Sequence, residues 1–214
     1  MKLITSLPSV KALSVVMVFL SLVVNARAQQ MQDMPYDLHF IDMMIMHHQE
    51  AAEMADLAKT KSANPKVKAF ATKTAADQQK DIGTLQAHRN HWYAGKPIMD
   101  PATMESTMKS MHPGMNMNME ETRRSLRAAT GGAFDRLFLD TMIHHHMMGV
   151  DMAKEATNKA EHSELKDFAR TAVTKQTAEI AEMNRLKGAP ATSTKTRAKT
   201  TAKPKPKTTS AHKH

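Results

Sequence analysis

An internal repeat constrains the fold of this chain more than any other feature. Residues 37–86 align without a gap onto residues 135–184, at a constant offset of 98, and 16 of the 50 aligned positions are identical. A constant offset over such a length indicates that one structural unit was duplicated, and a repeat of this kind decides the architecture. A functional site within the unit should then have two related halves.

Each repeat has the pattern of two helices. Apolar residues recur at spacings of three and four, and short polar breaks at 64–65 and 161–163 divide each repeat. Asp37 and Asp135 are N-cap candidates. The predicted helices span 37–60, 65–92, 135–159 and 164–187. These features predict an all-α fold, an antiparallel four-helix bundle made from a duplicated helical hairpin.

The segments outside the bundle have their own patterns. Repeats 37–92 and 135–187 are joined by a long crossover at 93–134 within one domain at 29–187. In the crossover, Asp100-Pro101 should begin one short helix, and 120–130, closed by Gly131-Gly132, should form another. From residue 188 to 214 the chain is rich in Thr, Lys, Ala and Pro without apolar periodicity, which predicts a disordered basic tail.

The first 28 residues have the pattern of a secretory signal peptide. Lys2 and Lys11 precede an apolar run at 12–24, and Ala26-Arg27-Ala28 has the small-residue pattern of a cleavage site. The run is short for a membrane span, which needs about 20 residues. We therefore expect a periplasmic or secreted protein with no transmembrane span after cleavage.

The distribution of charge argues against specific nucleic-acid binding. The formal net charge is +9, but residues 29–187 carry 20 basic and 21 acidic side chains, so the excess lies in the two ends of the chain. A nucleic-acid footprint would be expected on the folded body. The chain also lacks cysteine, so any soft metal ligand must be one of its 20 methionines.

Two histidine clusters occupy matching points of the repeats, as Met46-His47-His48 and His144-His145-His146. A helical rotation of about 100° per residue places His47 on the face that carries Phe40, so His47 should point into the bundle. His145 takes the equivalent position, and the two should meet across a pseudo-twofold axis. Asp42 falls on the opposite face.

A methionine stripe at helical spacing is usually core, because the thioether fills irregular gaps. Paired imidazoles are costly to bury without partners, however, and their recurrence in both repeats favours a metal site. His48 and His146 point to a neighbouring or supporting position, and His144 has Asp140 and Met148 one turn away, which suggests a flanking site. The candidate ligands in the repeats are His47, His48, Met43, Met44, Met54, His144, His145, His146, Met142, Met148 and Met152.

Imidazole with thioether and no thiolate favours Cu(I), with Ag(I) or Cu(II) as alternatives. A second methionine concentration runs from Met99 to Met119. Its last part, from Met111 to Met119, contains proline and glycine and has no helical core period, which predicts an exposed loop that captures the ion. Its candidate ligands are Met111, His112, Met115, Met117 and Met119.

The motif Asp-x-x-Phe-x-Asp-x-Met-x-x-His-His begins at Asp37 and again at Asp135. With this motif the sequence resembles the domain-of-unknown-function 305 family over about residues 34–187. The resemblance implies a ferritin-like four-helix fold, and the methionine and histidine content resembles that of CopM-type periplasmic copper-binding proteins. It therefore implies copper sequestration and resistance through the matched histidines and methionines. Thr141, which replaces Met43, implies that the two halves differ.

The sequence thus predicts a non-enzymatic protein that sequesters or transfers Cu(I) and contributes to copper tolerance, with a copper efflux or chaperone protein as candidate partner. Two alternatives remain. One is a ferritin-like metal oxidase using Glu50, Asp42 and Asp140 with the histidines. Neither repeat contains Glu-x-x-His, and Met148 replaces Glu50, which disfavours a symmetric di-iron site. The other is a helical module that binds a protein partner without metal.

Overall fold

A computed structural model of the protein describes residues 34–111 and 118–188, and those residues form helices and no strands. The predicted signal peptide, the tail beyond Gly188, and His112, Met115 and Met117 lie outside the described residues. The helices are α1 (Tyr36–Lys61), α2 (Pro65–Trp92), α3 (Pro101–Met111), α4 (Met119–Ala128), α5 (Gly131–Lys159) and α6 (Ser163–Gly188).

The predicted four-helix bundle is confirmed. Helices α1 and α2 form one hairpin, α5 and α6 form the other, and α1 packs against α5. At the break between α1 and α2, Asn64 caps α2 by accepting a 3.0 Å hydrogen bond from the backbone N–H of Lys66, with Pro65 in the first turn. In the crossover α3 begins at Pro101 as predicted, and Asp100 accepts a bond from the backbone N–H of Thr103.

The start of α5 differs from the prediction. Gly131 does not close α4, which ends at Ala128, but is the first residue of α5 and has a φ of 56°. Ala129 and Thr130 are extended and make the turn between the two helices. A left-handed φ suits glycine because it has no Cβ, and α5 therefore begins four residues earlier than predicted.

Asp37 does not cap its own helix, contrary to the prediction. It lies inside the first turn of α1, and its carboxylate accepts hydrogen bonds of 2.9 Å from the backbone N–H groups of Glu161 and His162. It also contacts the His162 ring at 2.7 Å. Asp135 likewise lies inside α5. The carboxylate of Asp37 thus links the start of α1 to the start of α6. Rules for local helix capping cannot predict such a tertiary contact.

The core has two apolar clusters with a polar layer between them. The first cluster holds Phe40 and Met44 of α1 with Met152 and Ala156 of α5. The second holds residues that come later in α1 and earlier in α5, including Met54 and Phe138. Helices α1 and α5 are therefore antiparallel, and the paired histidines lie between the clusters.

Asp42 is buried, although its helical position predicted the solvent face. The crossover folds back over this side of α1, and Arg89 of α2 donates a 2.5 Å hydrogen bond to the Asp42 carboxylate. Arg89 also donates to the carbonyl oxygens of Lys96 and Pro97, and the backbone N–H of Met99 donates to Asp42. This Asp42–Arg89 clamp fastens the crossover to the first hairpin.

The first two methionines of the crossover lie in the core, before the segment at 111–119 for which an exposed loop is predicted. Met99 and Met104 are each only 6% exposed and belong to the first apolar cluster. Met119 is half-buried and packs against the second cluster. Core filling accounts for these contacts. Among the helices of the described residues, none is long and apolar enough to cross a membrane.

Candidate metal centre

Four histidines form a buried layer at the middle of the bundle. His47, His48, His145 and His146 are each at most 1% exposed. The rings of His47 and His145 are stacked, with centroids 3.8 Å apart and planes inclined by 23°. The structure thus brings together the two residues that the repeat placed at equivalent inward positions.

A hydrogen bond of the His47 ring determines which of its two nitrogens has a lone pair for a ligand. Nε2–H of His47 donates to the backbone carbonyl of His145 over 2.8 Å. Because a carbonyl can only accept, the neutral ring then has its lone pair on Nδ1. That Nδ1 atom is buried and has no hydrogen-bond partner.

His48 and His146 each face a carboxylate from the second helix of their own repeat. Nε2 of His146 lies 2.8 Å from Glu179, and Nε2 of His48 lies 3.6 Å from Asp81. Nδ1–H of His48 donates to the backbone carbonyl of Met44. Asp81 and Glu179 are 98 residues apart, so this histidine–carboxylate pair is itself duplicated.

The two carboxylates were missed at the sequence level, although the alignment contained the signal. Asp81 and Glu179 are acidic at equivalent positions, three residues beyond Gln78 and Gln176, which lie on the buried face. Burial alone would raise the pKa of Asp81, but the nearby His48 ring and a hydrogen bond from Lys175 bring that pKa below its ordinary value. Asp81 is therefore ionised at neutral pH.

Burial lowers the pKa of His47 and of His145 well below the ordinary value, and the neighbouring imidazoles lower both further. Both rings are therefore neutral at neutral pH. A neutral imidazole has a lone pair and is the form that binds metal.

Glu50 joins the layer from α1. Its carboxylate lies 3.4 Å from Nε2 of His145, and its side chain is 18% exposed. Burial raises the pKa of Glu50 to about 7, although the positive charge of Arg123 opposes this shift. Glu50 has no acidic counterpart in the second repeat, where Met148 takes its place.

The layer contains an unusual concentration of buried polar atoms without hydrogen-bond partners. Native proteins leave few such atoms, and each calls for an explanation such as a bound ion or water. Those in this layer are Nδ1 of His47, Nδ1 of His145, Nδ1 of His146, Oγ1 of Thr74, Oε1 of Gln78, both amide atoms of Gln176, and Oε1 of Glu179. Three free imidazole nitrogens fit a metal that prefers nitrogen and sulfur donors.

Methionines lie on both sides of this layer. Met43, Met44 and Met152 belong to the first apolar cluster, Met54 and Met142 belong to the second, and Met148 is 5% exposed. The described residues contain no group of three or more His, Asp or Glu side chains arranged to hold a metal ion.

The other predicted acidic and flanking groups are engaged elsewhere. Asp42 pairs with Arg89, and Asp140 pairs with Lys187, so neither reaches the histidine layer. His144 is half-buried, and its predicted neighbour Met148 is turned into the core. Of the three carboxylates considered for an oxidase, only Glu50 contacts a histidine.

Gly149 makes room for His47. A Cβ added at Gly149 would lie 2.5 Å from Cε1 of His47 and would also collide with the side-chain oxygen of Gln176. The equivalent residue in the first repeat is Ala51. Glycine at this one position therefore lets the His47 ring approach α5 and stack on His145.

The sequence matches the model of a known protein family. The profile of the family described as "Domain of unknown function (DUF305)" matches residues 37–187, most of the chain. The chain belongs to the DUF305 family. The match spans both repeats, from Asp37 in α1 to Lys187 in α6, and so includes the whole histidine layer.

Solved structures show the same fold. CopM in its Cu(I)-bound form is 28% identical with a TM-score of 0.58, and the match covers 72% of this chain and 97% of CopM. A DUF305 protein from Streptomyces coelicolor is 27% identical with a TM-score of 0.62, covering 71% and 91%. A DUF305 fragment from Deinococcus radiodurans, 24% identical with a TM-score of 0.63, covers 72% and 97%. No curated protein matches the sequence.

Proposed function

We propose that the protein binds Cu(I) in its buried histidine layer and sequesters or transfers the ion. The observation that supports this most is the pair of unpartnered Nδ1 atoms on the stacked rings of His47 and His145. Leaving such atoms unsatisfied in the core costs about 1–3 kcal/mol each. Coordination to an ion would compensate that cost.

The donor set favours a soft monovalent ion. Met44 and Met152 lie in the apolar cluster on one side of the histidine layer, Met54 and Met142 lie in the cluster on the other side, and the chain has no thiolate. Imidazole with thioether suits Cu(I) and, by the same chemistry, Ag(I), whereas Mg²⁺, Ca²⁺ and Mn²⁺ prefer oxygen ligands. Cu(II) is the less favoured state because thioether donors select Cu(I).

The relatives support the choice of metal. CopM has been solved in Cu(I)-bound, Cu(II)-bound and Ag-bound forms, at 28–29% identity to this chain. The four histidines and their matched methionines are the residues we propose for the same chemistry here. Binding should release few protons at neutral pH, because His47 and His145 are already neutral.

The proposal also covers the segments outside the bundle, namely the predicted signal peptide and the crossover. Residues 1–28 would be removed as a signal peptide, so the protein would work in the periplasm or as a secreted protein. The related Streptomyces coelicolor protein is described as secreted. We also propose that the protein contributes to copper tolerance and delivers copper to an efflux or chaperone protein. In this proposal the metal is captured by Met111, His112, Met115, Met117 and Met119.

Native mass spectrometry of the purified protein titrated with Cu(I), Ag(I), Zn(II) and Fe(II) tests this function. We expect retention of Cu(I) and Ag(I) in preference to the other two ions, and loss of the tightest site in H47A/H145A. H47Q/H145Q, checked by circular dichroism, separates loss of ligands from loss of fold. The control is H91A, which removes an exposed histidine. Unchanged binding in both double variants would refute the site, and failure to bind any ion would favour the partner-binding alternative.

A further inference from the structure

An open groove lies on the surface of the first hairpin, beside Glu50. It has a volume of about 600 Å³ and lies where the crossover packs over α1 and α2. Its lining includes three methionines and three carboxylates, together with Arg123 from α4. The lining residues that matter here are Met46, Glu50, Glu53, Met99, Met104 and Arg123.

Glu50 connects the groove with the buried layer. Its carboxylate lines the groove and also lies 3.4 Å from Nε2 of His145, which is fully buried. The groove therefore reaches a group that touches a proposed ligand of the central site.

Methionine thioethers line the groove, and hydrogen bonds hold the backbone beside it in place. Met46 lies one helical turn before Glu50 on α1, and Met104 on α3 lines the same cavity. The Asp42–Arg89 clamp holds the backbone at 96–99 and so fixes the start of the segment that carries Met104. The carboxylate of Asp42 is neutralised by Arg89, and that of Glu53 faces Arg123 at 3.4 Å.

We propose that this groove is the loading route for the central site, with a soft monovalent ion held first by the thioethers of Met46 and Met104 beside Glu50. From there the ion passes to His145 and His47 without a change of oxidation state. A bare cation is expensive to carry into a low-dielectric interior, and donors along the way replace its lost water ligands. This inference rests on the proposed function and adds the path of the ion.

The route belongs to one side of the bundle. The positions equivalent to Met46 and Glu50 in the second repeat are His144 and Met148. The second repeat therefore does not reproduce the pairing of thioether and carboxylate. This asymmetry predicts that loading depends on residues of the first repeat and the crossover, and not on the equivalent positions of the second repeat.

The test compares loading rates of the full chain and its M46L/M104L variant, with Cu(I) supplied from a chromophoric chelator in a stopped-flow instrument. Leucine keeps the volume of methionine and removes the sulfur. We expect loading and release to slow together by about tenfold, equal to about 1.4 kcal/mol in the barrier, with unchanged equilibrium affinity. M46L alone, at a half-buried position, and E50Q should slow loading in the same direction.

The matched control is M183L. Met183 is fully buried but lies away from the groove, and its equivalent in the first repeat is already Leu85. Loading at the wild-type rate in M46L/M104L, M46L and E50Q, with copper still bound, overturns the route and leaves the central site standing. A fall in equilibrium affinity as large as that of H47A/H145A also overturns it, because the methionines would then belong to the final site. A wild-type chain that binds no copper refutes the proposed function and the route together.

Discussion

The ring of His47 lies stacked on that of His145 at 3.8 Å, while its Nε2–H donates to the backbone carbonyl of the same residue. Two histidines from equivalent positions of a duplicated hairpin thus meet at the centre of the bundle. The contact is not symmetric, because Nε2 of His145 faces Glu50 instead of a backbone carbonyl. The duplication has therefore produced one composite centre with unequal halves.

Replacing Gly149 with alanine should disturb this contact. The added Cβ would meet the His47 ring, which is held by its bond to His145, so the ring must move or the helices must separate. We expect G149A to lower the free energy of unfolding by about 1–3 kcal/mol, the usual cost of overpacking, and to weaken Cu(I) binding. Urea denaturation and chelator competition measure the two effects.

The control for that substitution is G83A. Gly83 lies inside α2 with open space around it, so alanine there should stabilise the helix by about 1 kcal/mol through its higher propensity. Equal effects of G83A and G149A would show that the close approach at Gly149 has no role.

The inward placement of His47 and His145 could be predicted from sequence, because the repeat offset and the helical period each point to it. The burial of Asp42 could not be. A helical projection of α1 places this residue opposite Phe40, and only the path of the crossover shows that Arg89 and the backbone near Met99 cover that face. Contacts between segments far apart in sequence have no local signal.

Replacing Glu50 with glutamine should stabilise the metal-free protein at alkaline pH. Burial raises the pKa of Glu50 from 4.5 to about 7 in the folded state. Between pH 4.5 and about 7 the folded chain therefore binds more protons than the unfolded chain. The free energy of unfolding falls as the pH rises through this range. At pH 8 we expect the free energy of unfolding of E50Q to exceed that of the wild-type protein by up to about 3 kcal/mol. Equal stabilities of the two proteins at pH 8 would contradict the raised pKa.

His47 and His145 should make stability rise with pH, which is opposite to the effect of Glu50. Measuring them in the E50Q variant removes the contribution of Glu50. The pKa of His47 and of His145 is lowered on folding, so the unfolded chain binds more protons below pH 6.5. Stability contributed by these rings is complete above pH 6.5 and is lost as the pH falls toward their folded-state pKa. Imidazole nitrogen shifts in NMR spectra should show both rings still neutral at pH 5.5. Protonation of both rings near pH 6.5 would refute their burial as neutral ligands.

The Asp42–Arg89 clamp should contribute far more to stability than its counterpart in the second repeat. Asp42 is 1% exposed, so R89A would leave a buried carboxylate without its charge partner, at a cost of about 3–5 kcal/mol. Lys187 pairs with Asp140, which is 47% exposed, and K187A should cost less than about 1 kcal/mol. Thermal denaturation of both variants provides the comparison, and similar losses would mean that the clamp does not hold the crossover.

The carboxylates of the site show a different limit of sequence reasoning. Asp81 and Glu179 are acidic at equivalent positions, and this signal was visible in the alignment. Their packing against His48 and His146 depends on the relative rotation of two packed helices, which apolar periodicity fixes only coarsely. The fold class and the central histidines thus follow from the pattern, whereas the partners that orient those histidines required the structure.

Anomalous diffraction at the copper edge, from crystals of the Cu(I)-loaded protein, tests the central claim most directly. We predict a single strong peak in the polar layer, within about 2.0–2.3 Å of Nδ1 of His47 or His145 or of a methionine sulfur beside them, distances typical of metal–nitrogen and metal–sulfur bonds. A map in which copper is bound only at the surface, with the His47–His145 stack unchanged, would contradict the account.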